Sequence, residues 1–218
     1  MNAIAPETSD SEFTWKDYQA RINNELVAIL GNFVNRAVVL THKYFDGITP
    51  ASGNESIDRE TLEQIKTQTE KVEQLTEAFR FREAQAEAMV LARIGNKYLA
   101  DLEPWKLAKS DLERTGQILN TALQLCAASS ILLQPFLPET CEKLQKMLNL
   151  GVMRWESMTS DHPMLSEGHG LNKAELLFAK MEDEVIETQK LKLQSNGSDT
   201  ADKTSKPMIS FEDFEKLD

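Results

Sequence analysis

The chain has 218 residues, of which 41% are hydrophobic and 27% are charged, a composition typical of a globular protein with one sizeable core. Its formal net charge of −11 argues against general nucleic-acid binding, because such affinity comes mainly from Lys and Arg side chains that neutralise phosphates. No apolar run approaches the ~18 residues of a membrane span, and neither a signal peptide nor a disulfide pattern is present, so we expect a cytoplasmic protein.

Helical periodicity dominates the first half of the chain. Thr14-Trp15-Lys16-Asp17 has the spacing of a capping box, in which two side chains satisfy free amides at the start of a helix. Apolar residues at spacings of three and four then predict one long helix, which ends where Asp46-Gly47 breaks the pattern. The same periodicity predicts a second helix from Leu62 to Phe79 and a third that starts near Arg82 and ends before Glu103-Pro104.

The second half adds a central helix and a less regular segment. After a short turn through Trp105, apolar residues from Leu112 to Leu133 cover a wide arc, so we expect this helix at the centre of the fold. Further helices are predicted at Glu139–Leu148 and near Met181–Gln194, separated by an irregular segment near Gly168-His169-Gly170. Because strand alternation is almost absent, the predicted fold class is all-α, a helical bundle.

The composition changes abruptly after the last predicted helix. Residues 195–207 could not bury an apolar face, which is typical of a flexible linker, and hydrophobic patterning resumes at Ile209. We therefore divide the chain into a lead-in at 1–12, a helical domain at 13–194, the linker at 195–207, and the start of a further, truncated domain at 208–218.

A candidate site for unpaired bases combines Asn32, Arg36 and Trp105. Asn32 and Arg36 lie ~40° apart on a helix and opposite its core stripe, and Trp105 follows Pro104 at a helix junction. Recognition of single-stranded RNA needs an aromatic face for stacking and fixed donors and acceptors for base edges. On the residues alone, a second interpretation remains open: a solvated polar stripe and a Trp that caps the core.

Four segments resemble, in the right order, the anticodon-binding domain of methionyl-tRNA synthetases and its continuation. Leu26–Arg36, followed by Lys43-Tyr44-Phe45-Asp46-Gly47, resembles the first helix of that domain. Asn96–Lys109 resembles its Asn-x-Tyr, Pro-Trp and Ala-Lys pattern, and Gln134–Pro138 its Lys/Gln-Pro-x-Leu-Pro step. Ile209–Asp218 resembles the entry to the oligonucleotide-binding (OB-type) domain that many bacterial members append.

The resemblance implies a helical bundle of the class I aminoacyl-tRNA synthetase anticodon-binding type, which binds the CAU anticodon of methionine tRNA. It places Asn32 and Arg36 on base-contacting positions, and Trp105, preceded by Pro104, on the Trp that stacks with an anticodon base. The His-Ile-Gly-His and Lys-Met-Ser-Lys-Ser signatures of class I catalysis do not occur in the chain. We therefore expect ATP-dependent aminoacylation to belong to a catalytic domain upstream in a full-length methionine-tRNA ligase, and this fragment to be inactive alone.

The expected partners follow from the same resemblance. They are methionine tRNA, through its anticodon loop, and the catalytic domain of the same chain, with no membrane. We expect no cofactor and no metal in this chain, because His42, His162 and His169 lack partners at ligand spacing. ATP is expected in the catalytic part of the parent, whereas zinc there and a homodimer formed through the missing C-terminal domain stay open.

Two alternatives remain open from the sequence. The first is an acidic helical domain that binds another protein, which the net charge of −11 favours. The second is the anticodon domain of another class I synthetase, for isoleucine, valine, leucine or cysteine, although these resemble the motifs above less closely.

Overall fold

A computed structural model describes residues 12–151, 153–158 and 162–198 of the chain. Within these residues the structure is helical, and its one antiparallel bridge joins Ile48 to Gly170, so the all-α prediction is confirmed. The elements in chain order are α1 (Trp15–Arg21), a π-helical segment (Ile22–Gly31), α2 (Asn32–Phe45), α3 (Ser56–Glu77), α4 (Phe81–Ala88), α5 (Val90–Leu102), α6 (Pro104–Leu107), α7 (Leu112–Leu132), α8 (Pro138–Met147), a 3₁₀ turn (Trp155–Met158) and α9 (Asp183–Ser198).

The chain divides into two compact units, Met1–Lys180 and Met181–Asp218. The first contains α1 to α8, and the second contains α9, which runs to Ser198 and so includes the first residues of the predicted linker. The rest of that linker, the predicted OB-type domain at 208–218 and all but one residue of the lead-in at 1–12 lie outside the described residues. None of the helices that are described is long and apolar enough to cross a membrane.

The first helix begins at the predicted Thr14 cap and ends at the predicted Asp46-Gly47 break. Of the predicted capping box only the Thr14 half is seen among the described bonds, and Asp17 Oδ2 accepts from Arg21 Nε at 2.9 Å. Thr14 Oγ1 accepts a hydrogen bond of 3.1 Å from the backbone N–H of Asp17, which satisfies a free amide at the start of α1. The helical backbone then continues through α1, the π-helical segment and α2 until Asp46 adopts a left-handed conformation with φ 53°. The predicted long helix is therefore present, but ten of its residues, Ile22–Gly31, have π rather than α hydrogen bonding.

Helix α7 forms the centre of the first unit. From Thr115 to Leu132 all of its residues except Gln117 are buried, as expected for a helix that is apolar over most of its circumference. Helices α2, α3, α5 and α8 pack against it. The predicted central position of this helix is confirmed.

Two predicted helix boundaries differ from the structure for local reasons. Helix α3 ends at Glu77 because Phe79 adopts a left-handed conformation with φ 59°, which stops helical hydrogen bonding before the predicted end. The predicted third helix is divided into α4 and α5 at Met89. No Gly or Pro lies at this break, so the sequence does not predict it.

Helices α2 and α5 approach each other closely at Gly95. A Cβ atom at this position would lie only 2.2 Å from Phe33 Cζ, so only a glycine leaves room for the buried Phe33 ring. This contact fixes the separation of the two helices. Arg36 lies on α2 after Phe33, and Trp105 lies on α6, which follows the end of α5.

Candidate nucleic-acid interface

The structure brings Arg36 and Trp105 together. The guanidinium carbon of Arg36, on α2, lies 5.2 Å from the centroid of the Trp105 ring on α6, a cation–π arrangement. Both side chains are half-buried, and within the described residues Arg36 has no carboxylate partner. Its hydrogen-bonding edge is therefore available to a ligand.

The helix junction before Trp105 sets the direction of the indole. Glu103 adopts a left-handed conformation with φ 42°, which ends α5, and the buried Pro104 starts α6 at a position where its missing N–H leaves no bond unmade. Lys106 Nζ lies 2.7 Å from Glu103 Oε1 across this first turn. Trp105 rests partly on the hydrophobic core, so one part of its ring is supported and the other reaches the surface.

Asn32 lies one helical turn before Arg36, at the start of α2. Its side chain is exposed and forms no hydrogen bond with any described residue. The spacing therefore places Asn32 and Arg36 on one face of α2, as the sequence predicts. No hydrogen bond joins the Asn32 side chain to Trp105 among the described residues, whereas the Arg36 guanidinium lies over the indole.

A long-range hydrogen bond holds the π-helical segment that leads into the site. Asn96 Nδ2, on α5, donates to the carbonyl oxygen of Ile29 at 2.8 Å and to that of Ala92 at 3.0 Å. The backbone N–H of Asn32, the first residue of α2, donates to the carbonyl oxygens of Ile29 and Val27, which lie three and five residues earlier. Such segments rotate everything that follows them, and they occur frequently at functional sites.

A buried ion pair ties together the helices on either side of Trp105. Asp58 on α3 has no exposed surface and accepts hydrogen bonds from Tyr98 Oη on α5, at 2.5 Å, and from Arg114 Nη2 on α7, at 2.9 Å. Arg114 Nε also lies 3.0 Å from Glu55. Because α6 lies between α5 and α7 in the chain, this carboxylate anchors both helices that flank the Trp105 turn.

The electrostatics of this cluster favour the charged forms of the pair. Burial raises the pKa of Asp58, but hydrogen bonds from Arg114 and Tyr98 outweigh it and hold the pKa below the ordinary value of 3.8. The bond to Asp58 raises the pKa of Arg114 despite its burial. Burial and the same carboxylate raise the pKa of Tyr98, so its phenol remains a hydrogen-bond donor.

Helical periodicity does not predict this cluster or the role of Asn96. The two bonds between Asp58 and Arg114 span 56 residues, and the bond from Asn96 to Ile29 spans 67. Short-range periodicity does not detect pairs at such separations. The one clue to the cluster is that Asp58, a charged residue, shares the buried face of α3 with residues such as Ile65 and Val72.

The histidines considered as metal ligands bond to backbone oxygens where their contacts are described. His42 Nε2 donates to Asn172 O at 2.9 Å, and His169 Nε2 donates to Leu148 O at 2.8 Å. In the part of the chain that the structure describes, no group of three or more His, Cys, Asp or Glu side chains is placed to hold a metal ion. Both histidines instead fasten the irregular 162–180 segment to the bundle.

Two family models match the chain. The model described as the anticodon binding domain of methionyl tRNA ligase matches residues 49–198, and that of class I (M) tRNA synthetases matches residues 1–38. Asn32 and Arg36 thus fall within the second match, whereas Pro104 and Trp105 fall within the first. The candidate site combines residues from both.

Curated relatives and solved structures agree with these models. The chain is 56% identical to a methionine–tRNA ligase of Phocaeicola vulgatus and 54% identical to one of Parabacteroides distasonis. Each alignment covers 100% of this chain and 33% of the relative, so the chain spans about a third of their length.

A crystal structure of the apo form of Mycobacterium tuberculosis methionyl-tRNA synthetase shows the same fold. It superimposes with a TM-score of 0.75 at 23% identity, over 80% of this chain and 36% of that chain. The expected resemblance is therefore confirmed in sequence and in fold. The chain belongs to the family of methionyl-tRNA ligase anticodon-binding domains.

Proposed function

We propose that this chain recognises the CAU anticodon of methionine tRNA on behalf of a methionine–tRNA ligase. Arg36, Trp105 and Asn32 contact the bases, and Pro104 fixes the turn that presents the indole. The observation that carries this proposal is the guanidinium of Arg36 lying 5.2 Å from the Trp105 ring centroid without a carboxylate partner among the described residues. Family membership supports the choice of ligand.

Each residue type supplies a distinct part of base recognition. An unpaired base stacked on the exposed part of an indole gains about 1–3 kcal/mol. The Arg36 fork can donate two parallel hydrogen bonds to a base edge or a phosphate, and the free Asn32 amide offers a donor and an acceptor together. A stacked base and a polar edge contact would therefore lie side by side on α2 and α6.

The acidic composition is compatible with this role. A net charge of −11 disfavours non-specific attraction to phosphates, so selective contacts to bases contribute a larger share of the affinity. Recognition of one anticodon requires that base contacts outweigh phosphate contacts, because every tRNA carries the same backbone charge. The interface is small and local rather than a broad basic surface.

The activity of the whole protein is part of the same proposal. We infer that the parent uses ATP to join methionine to its tRNA, and that a class I catalytic domain carries out this reaction. The match of residues 1–38 to the model of class I (M) tRNA synthetases supports this inference. We propose a cytoplasmic location for the parent as well, whereas zinc in its catalytic part and a homodimer through its C-terminal domain stay open. The described residues of this chain contribute tRNA selection and no catalytic step.

Substitution of Trp105 tests the proposal. Trp105→Ala should weaken binding of a CAU anticodon stem-loop about 10- to 100-fold, because the stacking energy is lost, and should weaken an already poor altered-anticodon stem-loop much less. Trp155→Ala, which truncates another half-buried Trp outside this site, is the matched control. Both stem-loops are titrated calorimetrically, and the full-length ligase is assayed for aminoacylation with both anticodons.

The acidic net charge favours one rival function, the docking of another protein on this helical unit. In that case Trp105→Ala and Trp155→Ala would change CAU binding and aminoacylation equally little. Such a result would overturn the anticodon proposal. A selective loss with Trp105→Ala would exclude the rival as the role of this surface.

A further inference from the structure

The turn between α3 and α4 presents two phenylalanines at the surface. Phe79 is 76% exposed and Phe81 is 38% exposed, and their ring centroids lie 6.1 Å apart in an edge-to-face arrangement. Neither ring packs against the hydrophobic core. The φ of Phe79, 59°, is a left-handed conformation that is rare for a large side chain and favours glycine. Phe79 therefore strains the backbone of this turn and contributes nothing to the core.

A small pocket opens on the side of α3 near the same end of the helix. Its lining residues are Val72, Glu73, Thr76, Glu77, Pro135 and Trp155. Its volume of about 290 Å³ is just below the roughly 300–1,000 Å³ of small-molecule sites, so it suits one large side chain. Both glutamates are exposed, and neither has a cationic partner among the described residues. The pocket thus combines apolar walls with an acidic rim.

We propose that a second copy of this chain inserts its Phe79 ring into this pocket, and that the two copies do so reciprocally as a symmetric dimer. A two-fold interface requires that one surface carry both the inserted side chain and the receiving pocket. Phe79 comes two residues after Glu77, the last residue of α3, which itself lines the pocket. Both features therefore lie at one end of α3. The inference does not depend on the proposed anticodon function.

The direction of the turn keeps Phe79 away from the pocket of its own chain. Residues 71, 74, 75 and 78 of α3 line a groove together with Glu83 and Glu87 of α4, whereas residues 72, 73, 76 and 77 line the pocket. At about 100° per residue, these two sets lie on opposite faces of α3. Because the turn leads from α3 towards α4, it leads away from the pocket face. The pocket is left open to a ring from another molecule.

Charge complementarity favours a second copy as that molecule. Arg80 directly follows Phe79 and is exposed, and its Nε donates to Glu83 at 2.7 Å in a pair that water weakens. Insertion of Phe79 brings Arg80 to the acidic rim formed by Glu73 and Glu77 of the other copy. The net charge of −11 opposes contact between copies, but charges farther apart than about 8 Å are screened at physiological ionic strength. The local attraction at the rim therefore decides the pairing.

Sedimentation of the chain over a concentration series up to the millimolar range tests the proposal. We expect a monomer–dimer equilibrium, which Phe79→Gly weakens at least about tenfold because a buried aromatic anchor is lost. Glycine suits the φ of 59°, so this variant should keep the turn and its thermal stability. Phe13→Ala removes a phenylalanine that is 42% exposed and outside this turn, and it should leave the equilibrium unchanged.

Exchange of charges identifies the residues that pair. Glu77→Arg and Arg80→Glu each place like charges against each other in their own dimers, so each variant alone should remain monomeric. In an equimolar mixture, position 77 of one variant meets position 80 of the other with opposite charges at both contacts. The mixture should therefore recover the dimer.

Three results would overturn the proposal: a wild-type chain that stays monomeric, a dimer that Phe79→Gly leaves intact, or a mixture of charge variants that does not associate. Occupancy of the pocket by another part of a full-length ligase is a separate outcome. It would slow amide hydrogen exchange at residues 72–82 in the ligase relative to this chain, while this chain remains monomeric. That pattern would assign Phe79 to contacts within the ligase and exclude the dimer.

Discussion

At the residue scale, the arrangement of Arg36 over Trp105 depends on the flat shape of the guanidinium. An arginine lies parallel to an aromatic ring and keeps its donor fork free, whereas a lysine ammonium is a hydrated point charge with no planar face. The distance of 5.2 Å from the guanidinium carbon to the ring centroid is within the range of such pairs. Replacing Arg36 by a lysine changes the shape of the side chain but keeps its charge. This substitution therefore distinguishes a role of the planar guanidinium from simple attraction to phosphate.

Arg36→Lys is expected to weaken binding of the CAU stem-loop about tenfold, because the planar guanidinium fork is lost although the charge remains. Arg93→Lys, at an exposed position on α5, is the matched control and should have little effect. Calorimetric titration of both variants measures the difference. Unchanged affinity in Arg36→Lys would mean that Arg36 acts through its charge alone.

The buried carboxylate of Asp58 makes a prediction about stability. Asp58→Asn leaves Arg114 beside a neutral amide in a site where the carboxylate has no exposed surface. Breaking a buried pair in this way costs about 3–5 kcal/mol of unfolding free energy. Urea denaturation followed by circular dichroism measures the loss, and an exposed substitution on the same helix, Glu63→Gln, serves as the control. A cost below that of the control would contradict the role assigned to the cluster.

The same carboxylate determines part of the pH dependence of folding. The pKa of Asp58 is lower in the folded chain than its ordinary value of 3.8, so its stabilising contribution is complete above that value. The contribution is lost as pH falls through the lower, folded pKa. The wild type should therefore lose more stability than Asp58→Asn on acidification below about pH 4. Parallel acid-denaturation curves for the two proteins would contradict this prediction.

At the element scale, the site depends on how closely α2 and α5 pack. Gly95→Ala places a Cβ atom 2.2 Å from Phe33 Cζ, so the two helices must separate. We expect a loss of about 1–3 kcal/mol in unfolding free energy from this overpacking, with weaker CAU binding because Arg36 and Trp105 follow these helices. The smaller side chain of Phe33→Leu, combined with Gly95→Ala, should recover part of both losses. Additive losses in the double variant would contradict the steric explanation.

Sequence patterns predict elements well where the cause is local. The cap at Thr14 and the buried length of α7 each follow from neighbouring residues, and the structure agrees with them. The π geometry of Ile22–Gly31 could not be predicted in this way, since its apolar spacing fits an ordinary α-helix. It is held by an amide from α5, 67 residues away.

The candidate site was predictable only in part, for the same reason. The i, i+4 spacing places Asn32 and Arg36 on one face, but their relation to Trp105 requires the packing of α2 against α5. The surface at Asn35 is completed by Phe178, which comes from far along the chain. Contacts between distant parts of the sequence are outside the reach of periodicity. The base contacts of all four predicted site residues remain predictions.

At the scale of the whole molecule, the number of phosphates that the chain neutralises sets the salt dependence of RNA binding, and a net charge of −11 predicts that this number is small. A local interface that neutralises about three phosphates of an unpaired loop gives a slope of about −2 in log K against log salt. We therefore expect CAU affinity to fall gently as salt rises. Filter-binding measurements over a range of KCl concentrations determine this slope, and a much steeper one would indicate a broad basic surface that the proposal does not contain.

Because Trp105 lies in the candidate site, its intrinsic fluorescence should report the binding of RNA there. The chain contains three tryptophans, at positions 15, 105 and 155, and only the second belongs to the candidate site. A chain carrying Trp15→Phe and Trp155→Phe would emit from that indole alone. A base arriving on the ring would quench this emission, so anticodon capture could be followed in real time without a dye on the RNA or the protein.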